Sequence, residues 1–156
     1  MSGIRILGIG SPSGDDQAGW LTVDALAACG VHADRDLTLE KLDRPGAHLI
    51  SRMENAGWVI LVDAMQSGDP PGRIRRFDRN GWQAYAHGLS SHGLGVLEAL
   101  SLARALGTLP PRLDLYGIGI ATAGPADQMS VEVHAAVRQL ARHIAADLAT
   151  TIPRGP

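Results

Sequence analysis

Apolar runs of strand length alternate with helix-period segments along the chain, and no other feature constrains the fold as tightly. A parallel sheet covered by helices has this pattern, because its strands are buried on both faces and each helix on one stripe. Residues 4–9 and 58–62 (WVILV) are continuous apolar runs, the second ending at Asp63. Residues 37–42 and 113–120 are further strand candidates, and 73–77 alternates charged with apolar residues, as an edge strand does. Helical spacing occupies 15–28, 45–55, 92–106 and the last segment from Ser130. In that segment Val133, Val137, Leu140, Ile144 and Leu148 form one face, and Arg138, Arg142 and Asp147 the other. Asp15 is the expected cap of the first helix and Gly30 its stop; Pro45 suits a first turn, and Ser130 caps the last helix. The expectation is one α/β domain over 1–150, a three-layer α/β/α sandwich. Its sheet is mostly parallel and twisted, of about five strands, with helices on both faces. Residues 151–156 are expected to fray.

The chain of 156 residues is 45% hydrophobic and 19% charged, which suits one core and excludes a disordered polymer. A formal net charge of -2 provides no basic field, so nucleic-acid binding is not expected. One cysteine, Cys29, allows neither an intrachain disulfide nor a cysteine-rich metal cluster. Its position late in an Ala/Leu-rich helical pattern predicts a buried thiol. The opening residues lack a signal-peptide pattern, and the apolar stretch around WVILVDAM is too short to span a bilayer. A cytoplasmic protein without membrane insertion is expected.

Residues 8–20, GIGSPSGDDQAGW, look at first like a phosphate-binding turn. Gly8, Gly10 and Gly14 are spaced G-x-G-x-x-x-G, however, and not as the dinucleotide fingerprint. Charge separates the readings better than spacing. A helix N-terminus attracts anions, but a pyrophosphate there would be repelled by Asp15 and Asp16. A cation would be attracted, and a tandem acidic pair exceeds what capping one helix requires.

Two further residues fall where functional groups of a doubly wound sheet collect, at the carboxyl ends of strands. Asp63 terminates WVILV, and His92 closes the loop HGLSSH and opens a helix. Each has an ordinary alternative, a turn aspartate and a surface histidine. Together, Asp16, Asp63 and His92 offer two carboxylates and an imidazole. That donor set suits a divalent transition metal with open positions, such as nickel, zinc, iron or cobalt, rather than a calcium or magnesium cage. His87 competes with His92 for the ligand role. The chain has no H-E-x-x-H and no G-x-S-x-G, which disfavours an ordinary zinc protease and a serine hydrolase.

In this order and spacing, four segments carry a resemblance: GIGSPSGDDQAGW, LVDAMQSGDPPGRIRRF, SSHGLGVLEAL and LDLYGIGI. The chain resembles the hydrogenase maturation proteases, endopeptidases that trim the C-terminus of a [NiFe]-hydrogenase large subunit. The first segment looks like the family's G-x-G-N-x-L-x-x-D-[DE]-x-x-G, the second like its V-D-A and P-G, the third like its S-x-H. By position, the resemblance implies that Asp16, Asp63 and His92 are the metal-contacting and catalytic residues. It implies nickel supplied by the substrate, with another divalent metal able to replace it in vitro. The partner would be a nickel-loaded large-subunit precursor that loses a short C-terminal extension. If the metal serves only as an identity check, Asp15 or Asp43 is a candidate general base. The chain departs from the pattern at Ser11, where the family has Asn, and at Gln17. A D-G-G-T-x-G segment is replaced by Asp43-Arg44-Pro45-Gly46, where Arg44 is either a contact for a substrate carboxylate or a surface charge. Two other functions compete: a non-proteolytic nickel-binding chaperone of the same fold and a small nucleotide-binding module.

Overall fold

The computed structural model describes residues 3–66, 68–84, 94–121 and 129–151. Five strands form one sheet: β1 (Gly3–Gly10), β2 (Leu37–Asp43), β3 (Ala56–Met65), β4 (Ile74–Asp78) and β5 (Arg112–Gly119), in the order β2-β1-β3-β5-β4. The β1–β2, β1–β3 and β3–β5 pairs are parallel, and β4 runs antiparallel along β5 at the edge. The helices are α1 (Ala18–Ala28), α2 (His48–Met53), α3 (Leu94–Ala105) and α4 (Val131–Thr151). Among the described residues, no helix is long and apolar enough to cross a membrane.

The two-residue period of a strand explains the three layers. Ile6, Ile60, Val62, Tyr116 and Ile118 belong to the core that α1 and α4 cover. Their neighbours Leu7, Val59, Leu61, Leu113 and Leu115 belong to the opposite core, beneath α2 and α3. α4 buries Val133, Ala136, Val137, Leu140, Ala141, Ile144 and Leu148, a stripe at helical spacing. β3 lies at the centre and is buried along nearly its whole length.

Several local expectations need correction. The segment 15–28 is not a single α-helix: Gly14–Gln17 is one turn of 3-10 helix and α1 starts at Ala18. Asp15 does not cap it, for the residue at the cap position is Gln17 and no side chain bonds there. The second helix is shorter than 45–55. Arg44 and Gly46 have φ of 43° and 53°, so Pro45 sits in a turn ahead of the helix. Cys29 is exposed, because α1 ends at Ala28 and the chain turns away at Gly30 with φ of 92°. The tail expected to fray begins with Thr151, which ends α4; residues 152–156 lie outside the described residues.

Candidate functional site

From β1 the chain first crosses to β2 on one side and then to β3 on the other, as the strand order shows. The crevice between the carboxyl ends of β1 and β3 is therefore the topological switch point, where open α/β sheets bind ligands. Two glycines allow the following turn to close down on it. A Cβ on Gly19 would overlap the carbonyl oxygens of both Ile9 and Val62, so α1 begins directly over the crevice. A Cβ on Gly10 would overlap the carbonyl oxygen of Asp16. The backbone of the acidic pair is thus seated on the end of β1.

Within the 3-10 turn, Asp15 and Asp16 point in different directions, since successive side chains are about 120° apart in such a helix. The Asp15 carboxylate accepts from the Ser130 N–H (2.8 Å) and the Ser130 hydroxyl (3.2 Å), 115 residues along the chain. Ser130 Oγ in turn accepts from the Val133 N–H at 3.4 Å. Asp15 therefore anchors the start of α4 rather than its own helix. Asp16 is held from the strand: its carbonyl accepts from the Ser11 N–H (3.2 Å) and its carboxylate from the Ser11 hydroxyl (3.3 Å). Ser11 is buried, so its departure from the family's Asn still leaves a polar group on the acid.

Asp63 is 1% exposed and lies in β3 one residue beyond Val62, which pairs with Gly8. Pleat parity puts it on the face of Leu61 and Met65, beside the end of β1. Asp43 ends β2 opposite Gly10 and is about half exposed. It accepts from Arg44 Nε at 3.0 Å, and the Arg44 N–H donates to the Gly10 carbonyl at 3.1 Å. The Trp20 indole closes the same corner by donating to the Leu42 carbonyl at 2.9 Å. The fold thus gathers Asp16, Asp63 and Asp43 at one edge of the sheet and sends Asp15 away to α4. His92 and its competitor His87 lie outside the described residues. Among the described residues, no three His, Cys, Asp or Glu side chains form a metal-sized group. Two carboxylates at a switch point still fit part of an oxygen–nitrogen donor set for a divalent transition metal.

The sequence reading missed a second buried charge, at the amino end of the sheet. Asp114, 1% exposed, accepts from the Trp58 indole (2.8 Å) and pairs with Arg76 and, at 3.4 Å, with Arg112. The Arg112 guanidinium stacks 3.6 Å over the Trp58 ring. Its components are far apart in sequence, and only the β3–β5–β4 pairing unites them. Nearby Tyr116 has its phenol pushed up to about 12 by burial and by the Asp114 charge, an effect the Arg76 charge partly offsets.

A family model described as hydrogenase maturation protease matches residues 44–147. The chain is 31% identical over 119 residues to the hydrogenase expression/formation protein HupD of Thiocapsa roseopersicina, an alignment covering 74% of this chain and 53% of HupD. It therefore spans about half the length of that curated relative. Among solved structures, the hydrogenase maturating endopeptidase HybD from E. coli superimposes with a TM-score of 0.80 at 24% identity, covering 96% of this chain and 93% of HybD. The [NiFe] hydrogenase maturation protease HybD from Thermococcus kodakarensis gives 0.70 at 24% identity, over 94% and 99%. These two likenesses establish the fold. With the family match extending over most of the domain, the chain belongs to the hydrogenase maturation protease family.

Proposed function

We propose that this protein is an endopeptidase that acts in the cytoplasm on a nickel-loaded [NiFe]-hydrogenase large-subunit precursor and removes a short C-terminal extension. The observation that supports this reading is that Asp16, in the turn seated on the end of β1, and Asp63, near the end of β3, both fall at the carboxyl end of the β1/β3 switch point in a chain of this family. Nickel arrives as part of the substrate, and Asp16, Asp63 and His92 are the residues that would receive it. Once there it would polarise the scissile carbonyl or certify that the precursor is metallated. The chain's own contribution is positioning. Asp63 is buried in the central strand, and the Ser11 hydroxyl donates to the Asp16 carboxylate. Asp43, at the same edge, is available to move a proton to or from the attacking water.

The test is the mass of a nickel-loaded precursor before and after incubation. Asp16→Asn, Asp63→Asn and His92→Ala should each leave it at full length while the far-ultraviolet circular dichroism of each variant stays native. Normal shortening by all three would remove the triad. A nickel chaperone of the same fold would bind the precursor without changing its mass.

A further inference from the structure

A pocket of about 270 Å³ opens beside the proposed catalytic edge, on the α2/α3 face of the sheet. Ile9, Leu49 and Val96 make it apolar, while Arg44, Pro45 and Gly46 form its rim. Ile9 and Gly10 line it from the carboxyl end of β1, just past Gly8, which pairs with Val62, so the pocket opens at the same end of the sheet as Asp63. The rim is fixed in place. The Arg44 N–H is bonded to the Gly10 carbonyl, and its backbone is held in the left-handed region at φ of 43°, a conformation that costs a non-glycine residue energy. The Arg44 side chain is 68% exposed and engages Asp43 through Nε alone. Its two terminal nitrogens make no bond among the described residues and present the fork that matches a carboxylate. A cation on the rim of an apolar pocket, at an edge otherwise lined by acids, selects for a ligand that is apolar and anionic at adjacent points.

We propose that this pocket is the subsite that selects the precursor's tail, taking one aliphatic side chain while Arg44 pairs with an acidic side chain next to it. The assignment rests on the proposed function for the identity of the tail. Arg44 is a specificity residue here: it touches the tail and does no chemistry. The Arg44 charge narrows the precursors accepted to those whose tail carries the acid.

Two variants address the subsite without disturbing the fold. Arg44→Glu changes an exposed side chain. Gly95→Leu puts a side chain into the pocket from α3, where the glycine has no positive φ and the nearest atom to a new Cβ among the described residues is the Gly46 Cα at 4.0 Å. The probes are two nickel-loaded precursors identical except for a Leu-Glu or a Leu-Lys pair at one place in the tail. Binding to the full chain is measured by calorimetry, and the mass of the precursor is read from the same samples. The wild-type chain should bind the Leu-Glu form about tenfold more tightly, Arg44→Glu should reverse that preference, and Gly95→Leu should weaken both. An unchanged ratio in Arg44→Glu, or unchanged affinity in Gly95→Leu, overturns the subsite. Preference without shortening upholds the subsite and removes the peptidase reading; shortening without preference does the reverse.

Discussion

Asp15 and Asp16 are chemically identical neighbours that the fold uses for different purposes. Asp15 spends both oxygens on Ser130 at the head of α4, whereas Asp16 is tethered to Ser11 on the strand side. Asp15→Ala should therefore lower stability by about 1–2 kcal/mol, the usual value of a lost cap plus a charge-assisted bond. Asp16→Asn, which can still accept from Ser11, should cost far less; urea unfolding of the two variants measures the contrast. The acidic pair was legible as a cation-attracting feature from its charge alone. That α4 claims Asp15 was not, because the partner lies 115 residues away.

At the level of elements, the site depends on how closely α1 approaches the sheet. Gly19 lies against two carbonyl oxygens from two different strands, contacts no side-chain rearrangement can relieve. Gly19→Ala should thus cost about 3 kcal/mol or more, as severe overpacking does. Gly95→Ala is the control: among the described residues its new Cβ meets only an ordinary contact with the Gly46 Cα at 4.0 Å, and it should be neutral or stabilising by up to about 1 kcal/mol. Thermal melts of both variants give the comparison. The strands were readable because burial on both faces leaves an unbroken apolar run, and the edge position of β4 showed in its alternation. Helix starts were less readable. The 3-10 turn at Gly14–Gln17 and the turn around Pro45 are set by contacts with β1 that local propensity does not contain.

Across the whole molecule, the sheet sets its acidic residues in different surroundings at its two ends. The carboxyl edge holds Asp16, Asp63 and Asp43; toward the amino edge, Asp114 is tied to Arg76, Arg112 and Trp58. Tyr116, next to that cluster, holds its proton more tightly folded than unfolded, with its pKa raised from 10.0 to about 12. The stability this contributes is complete below pH 10 and is lost as pH rises from there through about 12. Urea midpoints measured across this window should fall more steeply for the wild type than for Tyr116→Phe; parallel curves would contradict the assignment. The class of fold, the order of its elements and the acidic character of the turn after β1 were legible in the sequence alone. Those properties follow from periodicity and composition, which are local. That β1 and β3 lie side by side with α1 over their ends, that Asp15 belongs to α4, and that Arg44 stands at the rim of a pocket follow instead from packing between distant segments. Each of these is a contact between segments remote in sequence, and no local pattern records which remote segments will meet.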